Sequence, residues 1–334
     1  MTPTAAYPTA RVDRDRFVLD RRAPRPQHDF WRHQGVLVED EPAADGTIVR
    51  VATIFLTGRE CPWRCVMCDL WQHTIAEDTP RGALVRQIDD ALDALLLQGT
   101  LPQHVKLYNA GNFFDPRAVP ESDYGAIAAR LTPFRHVIVE SHPALIGDRL
   151  LRFTAALGRA GQGPGAPTLE VAIGLETCHP DALDRLNKGF TLAQFEEAAD
   201  RLHRYGTRLR TFLLVGVPFI APSQQQEWIG RSVSFAFECG AAAVSLIPMR
   251  PGNGAIEALG VTPPTLADLE SAFDRVLPGA PGRVFADVWD LQRFTRCRSC
   301  FGSRLDRLRL MNLEQRLHPS IVCAHCGATS GHAA

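Results

Sequence analysis

The stretch Ile48-Val-Arg-Val-Ala-Thr-Ile-Phe-Leu-Thr-Gly-Arg-Glu-Cys61-Pro-Trp-Arg-Cys65-Val-Met-Cys68 sets three cysteines in a loop directly behind an apolar, β-branched run. The run Val49–Leu56 reads as a strand buried on both faces, the habit of a parallel sheet. The C-x3-C-x2-C spacing behind it places three thiolates on one short loop. Three thiolates can take three corners of an iron–sulfur cubane and leave the fourth iron without a protein ligand. The competing reading is a zinc site made of the same cysteines and His73. The strand before the loop and the βα units after it weigh against that reading.

Working outward, further short apolar runs at His104–Tyr108, His136–Glu140, Leu169–Leu175, Leu209–Val215 and Ala243–Ile247 read as buried strands. Helical periodicity falls between and after them at Leu84–Leu97, Ser122–Leu131, Asp148–Leu157, Leu192–Tyr205, Ser223–Cys239 and Thr265–Val276. Thr191 with Gln194, and Ser223 with Gln226, fit capping boxes, and Gly206 and Gly240 fall where helices should end. Six βα units in series predict an α/β fold, either a partial (βα)6 TIM-like barrel or a doubly wound sheet. Either architecture puts its chemistry at the C-terminal ends of the strands. There the sequence carries the cysteine triple, Asn109–Asn112, Glu140 and Glu176.

The chain of 334 residues has a formal net charge of −1, so no global charge points to nucleic acid, membrane or acidic substrate. No apolar stretch has the length of a membrane span and the N-terminus lacks a secretion signal, which makes the cytoplasm the expected location. Nine cysteines are many for such a chain, and seven sit in tight spacings that read as metal ligation rather than disulfides. Cys178 and Cys239 read as small buried hydrophobes. The expected organisation is an irregular arm over residues 1–45, a barrel over 46–280 and a cysteine-rich metal-binding module over 281–334.

With these residues in place, the chain resembles the radical S-adenosylmethionine (SAM) superfamily over about residues 48–250, in the branch of oxygen-independent coproporphyrinogen oxidase and the elongator catalytic subunit. Gly174-Leu-Glu-Thr177, Leu186-Asn-Lys-Gly-Phe-Thr191 and Phe212-Leu-Leu-Val-Gly-Val-Pro-Phe219 look most like the radical-SAM subunits of archaeosine synthases, which act on a modified 7-deazaguanine in tRNA. The resemblance implies a [4Fe–4S] cluster on Cys61, Cys65 and Cys68 that chelates SAM at its open iron, reductive cleavage of SAM, and an electron donor such as flavodoxin or ferredoxin. It also implies cofactor-binding roles. Asn109, Gly111 and Asn112 stand at a turn that meets the SAM amino group, although the acidic residue other branches carry there is missing. Glu140 and Glu176 lie near the ribose, Lys188 pairs with the SAM carboxylate, and Met67 packs near adenine. The bland reading of each acid is a solvated strand-end carboxylate, and His142 reads as structural.

Cys297-Arg-Ser-Cys300 and Cys323-Ala-His-Cys326 are two C-x2-C knuckles separated by 22 residues. Paired knuckles suit one zinc ion, and an auxiliary iron–sulfur cluster uses the same ligands. Arg293, Arg296, Arg298, Arg304, Arg307 and Arg309 crowd around them as a candidate phosphate-binding group, with tRNA as the candidate partner. Asp287, Trp289 and Asp290 are expected to seat this segment on the barrel. Two alternatives stay open: radical chemistry on a small metabolite or natural-product precursor, and a zinc-binding interaction protein on a barrel scaffold. Catalytic residues beyond the cofactor set and the oligomeric state are not legible.

Overall fold

The computed structural model describes residues 6–99, 101–162 and 165–327. Eight strands form one sheet in strict sequence order: β1 (Gly35–Pro42), β2 (Ile48–Phe55), β3 (His104–Tyr108), β4 (His136–Glu140), β5 (Thr168–Glu176), β6 (Arg208–Val215), β7 (Ala241–Pro248) and β8 (Arg283–Ala286). β1 pairs antiparallel with β2, and every later pairing is parallel. The helices are α1 (Arg11–Leu19), α2 (Ala83–Leu97), α3 (Tyr124–Leu131), α4 (Asp148–Ala160), α5 (Pro180–Arg185), α6 (Leu192–Arg204), α7 (Gln225–Glu238), α8 (Ala255–Ala258), α9 (Leu266–Val276) and α10 (Arg298–Glu314). A strand order that never reverses excludes the doubly wound sheet. Right-handed crossovers advancing in one direction put their helices on one face and curl the sheet into a partial TIM-like barrel. Among the described residues, no helix is long and apolar enough to cross a membrane.

The outer face of the sheet is apolar. Val105, Leu107, Val137, Val139, Val171, Ile173, Leu209 and Leu213 pack with Ile88, Phe153, Phe195 and Phe273 of the helices in one continuous core. At about 1.5–3 kcal/mol per fully buried large side chain, this layer dominates stability. The inner face differs from the expectation of strands apolar on both sides. Lys106 lies 2.9 Å from Glu39 and also contacts Glu41, Arg210 lies 2.6 Å from Glu170 and 3.3 Å from Glu41, and Arg283 and His136 approach Glu170 as well. These buried groups come from β1, β3, β4, β5, β6 and β8 and plug the end of the barrel where the parallel strands begin. Burial would raise the Glu41 carboxyl, but Lys106 and Arg210 hold it down to about 2.

The structure adds to the sequence reading at three places. Within residues 6–45, read from the sequence as an irregular arm, the structure winds α1 and extends β1, and β1 was hidden because its Glu39 and Glu41 face cations that are remote in sequence. The expected partial barrel is present, and among the described residues it carries a seventh parallel strand, the four-residue β8, beyond the six read from the sequence. Ser223 caps nothing: Pro222–Gln224 winds as a 3₁₀ turn, and α7 starts at Gln225 without a side-chain cap. A second capping box appears instead at Thr265 and Asp268, beside the expected one at Thr191 and Gln194.

Candidate functional site

The cysteine loop leaves the C-terminal end of β2 and is tied down from every side. Val66 N–H donates to Leu186 O at 3.0 Å, and Cys68 N–H to Cys65 O at 3.2 Å. Asn187, in the left-handed region at φ 61°, uses its amide nitrogen to reach both Arg64 O at 2.9 Å and the Asp15 carboxylate of α1 at 2.7 Å. The Asn253 amide donates to Val66 O, and Glu60 is gripped by Arg22, Arg25 and Arg64. Trp63 stacks on His142 with ring centroids 3.5 Å apart. Asn187, Asn253 and Asp15 were not singled out from the sequence; an asparagine before Lys188-Gly189 was the available hint of a left-handed turn.

Cys61, Cys65 and Cys68 lie close enough to repel one another as thiolates, and burial is the main cause that pushes their thiols up to about 11, 11 and 12. Such thiols stay protonated at neutral pH until a metal supplies compensating charge, so loading the loop must expel protons. Asn112 Nδ2 donates to Cys61 Sγ at 3.2 Å. Gly111 lies against the same loop, where a Cβ would come within 3.2 Å of Arg59 O and 3.6 Å of Cys61 N.

Behind this turn, Glu140 closes β4. Burial pushes its carboxyl up to about 8, with the backbone N–H groups of Asn109 and Ala110 opposing the rise. One Glu140 oxygen and both side-chain amide atoms of Asn109 are buried without a partner. Lys188 Nζ lies 2.8 Å from Glu176 Oε1, and this pair sits beside Cys65. Glu176 holds φ 67° at a register shift in β5, and the pair rests over Gly174, where a Cβ would meet Glu176 Oε1 and come within 2.9 Å of Lys188 Nζ. His142 is structural: one ring nitrogen contacts Lys188 O at 2.9 Å, the other accepts from Ala144 N–H at 3.2 Å, and burial lowers its pKa to about 3. Met67 packs against a second apolar cluster that includes Phe17, Val66, Leu214 and Met249. The structure thus gathers the cysteine triple, Asn109, Gly111, Asn112, Glu140, Glu176 and Lys188 at one end of the barrel.

The sequence profile described as the radical SAM superfamily matches residues 55–227, more than half of the chain. The chain belongs to the radical SAM superfamily. Membership makes it a SAM-dependent iron–sulfur enzyme, which sets aside the reading of a mere interaction scaffold. Among curated proteins it is similar to archaeosine synthase subunit beta of Methanosarcina acetivorans, at 27% identity over 59% of this chain and 59% of that one. It is also similar to archaeosine synthase subunit beta of Thermococcus kodakarensis, at 30% identity over 47% of this chain and 48% of that one. The chain spans roughly half to six-tenths of the length of the curated relatives it matches. A solved structure with a similar outline is the archaeal Elp3 of Methanocaldococcus infernus, at a TM-score of 0.46 and 13% identity over 60% of this chain and 51% of that one.

The residues present fit a radical SAM site. Among the described residues, only Cys297, Cys300, Cys323 and Cys326 gather three or more ligand atoms within 4.8 Å, so the Cys61 triple and His73 do not close around a single ion. The orphaned amide of Asn109 and carboxylate oxygen of Glu140 suit a small polar ligand held next to the cysteine loop.

The arginines near the C-terminal cysteines divide. Arg304 and Arg307 are buried in pairs with Glu270 and Asp274, while Arg293 and Arg309 pair with Asp290 and Asp306. Arg296 and Arg298 are exposed. Asp287 pairs with Arg250 at 2.7 Å, and Trp289 stacks on Phe55 of β2 at 6.4 Å, so this segment is fastened to strand ends.

Proposed function

We propose that Cys61, Cys65 and Cys68 hold the [4Fe–4S] cluster of this enzyme, that Asn109, Gly111, Asn112, Glu140, Glu176, Lys188 and Met67 surround SAM, and that the substrate is a 7-deazaguanine-type base carried by tRNA. A cluster bound there would supply the electron that splits the sulfonium bond of SAM into methionine and a 5′-deoxyadenosyl radical. The chain's own residues bind, orient and shelter. Asn112 donates to the Cys61 sulfur, which tempers its negative charge. Lys188 is a cation close to Cys61 and Cys65 and can exchange Glu176 for an incoming carboxylate. Asn109 offers an unused donor and acceptor, and Glu140 an unused oxygen, to amino and hydroxyl groups.

The observation that carries this reading is the set of orphaned polar atoms beside the cysteine loop. The base on tRNA is supported by the likeness to archaeosine synthase subunits beta. One observation favours the second reading, a free small substrate: Arg304 and Arg307 are spent inside the fold and are not available to phosphates.

Anaerobically reconstituted protein should be brown and release 5′-deoxyadenosine from SAM with a reductant or a reduced flavodoxin or ferredoxin. The Cys61→Ala/Cys65→Ala/Cys68→Ala variant should do neither, and activity in that variant would refute the cluster assignment. Mass spectrometry of nucleosides from tRNA bearing the 7-deazaguanine should show conversion. If only a free precursor is converted, the tRNA reading fails and the small-substrate reading stands.

A further inference from the structure

The sheet does not close on itself: among the described residues β8 pairs only with β7, and β1 only with β2. α10 covers the seam, lying against both β1 and β8. Two side-chain amides, of Asn312 in its last turn and of Gln315 just past its end, take hydrogen bonds that another strand would have made. Asn312 donates to Ala286 O and accepts from Ala286 N–H, both at 2.8 Å. Gln315 donates to Val284 O at 2.9 Å and accepts from Val284 N–H at 2.8 Å. Because the chain from 312 to 315, at the end of the helix, maps to 286 back to 284 on the strand, α10 runs antiparallel to β8. Its first turn, with Cys300, therefore lies about 18 Å farther along, on the side where the strands end and the cysteine loop sits.

We propose that Cys297, Cys300, Cys323 and Cys326 bind one zinc ion, and that this ion pins the start of α10 and so holds the helix that seals the barrel. The four sulfurs all lie within 4.8 Å of one another, and Cys297 and Cys323, from different knuckles, are 4.0 Å apart. Four thiolates on one tetrahedral zinc at about 2.3 Å stand about 3.8 Å apart. A cluster puts thiolates on different irons and must spread them wider, so this cage has room for an ion and none for a cubane. The knuckles are also preformed. Cys297 is the residue just before α10, and the second knuckle is closed by Gly327 N–H, which donates to Cys323 O at 2.8 Å. Four thiolates around a divalent cation leave two negative charges, and Arg304, one turn along α10 from Cys300 and held by Glu270, is the guanidinium placed to offset them. The fastening continues through Arg307, which donates to His318 O and Pro319 O on the way to the second knuckle. The inference is independent of the substrate reading.

The test starts with the full chain carrying Cys61→Ala, Cys65→Ala and Cys68→Ala, so that the C-terminal site alone binds metal. Metal analysis should find about one zinc per chain, and X-ray absorption at the zinc edge four sulfurs at about 2.3 Å. A brown variant containing iron, a chain without metal, or zinc with fewer than four sulfurs overturns the assignment. Cys323→Ser/Cys326→Ser should lose the zinc, and amide exchange in α10 and β8 should quicken at least about 10-fold while α2 to α4 keep their protection. If that variant unfolds outright, stripping zinc from the wild-type chain with a chelator gives the same readout. Unchanged exchange in α10 after zinc loss overturns the sealing role.

Discussion

Replacing Glu140 by glutamine should make the protein more stable, and only above mildly acidic pH. Burial raises the Glu140 carboxyl from 4.5 to about 8. Between those values the folded chain keeps a proton that the unfolded chain releases, so stability falls as pH rises through that window. The whole rise, at about 1.4 kcal/mol per pH unit, corresponds to about 4–5 kcal/mol, and residual exposure of the site reduces this to about 3 kcal/mol. Glutamine keeps the acceptor that meets the Asn109 and Ala110 N–H groups and carries no charge. The two chains should therefore be equally stable near pH 4 and diverge to about 3 kcal/mol by pH 8. Urea unfolding at a series of pH values, in the Cys61→Ala/Cys65→Ala/Cys68→Ala background so that cluster loss plays no part, reads this directly. A difference that is constant with pH, or one that favours the carboxylate at pH 8, refutes the claim that this acid is buried without a counter-charge.

Other substitutions test neighbouring parts of the structure. Gly174→Ala should push the Glu176–Lys188 pair off its seat, at a cost of about 1–3 kcal/mol in unfolding free energy, and slow SAM cleavage while the cluster absorbance persists; wild-type stability and rate in that variant would show that the pair can move freely. Asn112→Ala removes the N–H donor on Cys61 Sγ and should lower the cluster reduction potential by tens of millivolts in a redox titration, with no change in iron content. Lys106→Met leaves Glu41 without its nearer cation and should cost about 3–5 kcal/mol in urea unfolding.

The sequence disclosed the parts of this protein that obey local rules. The strands from Val49 to Ile247 and the helix after Thr191 follow apolar periodicity and capping chemistry, and the cysteine triple follows from its place behind a strand. What stayed hidden depends on partners remote in the chain. β1, with its Glu-Asp-Glu run, looks like solvated arm until Lys106 and Arg210 are brought opposite it. β8 is too short for a period to register. α10 shows no clear apolar stripe because its buried residues mix Arg304 and Arg307 with Cys300, Leu308 and Met311, and both arginines are satisfied by specific remote partners. The unused valences of Asn109 and Glu140 show only once the turn after β3 is folded against β4.

The helix that stands in for a missing strand has a consequence for how this architecture can vary. A wall made of ladder hydrogen bonds admits only whole staves, so its girth changes in fixed steps. A wall finished by a helix gripping the last stave through two amide side chains can be widened or narrowed by exchanging those side chains alone. The lumen can thus be resized for a different guest without disturbing a single rung of the sheet.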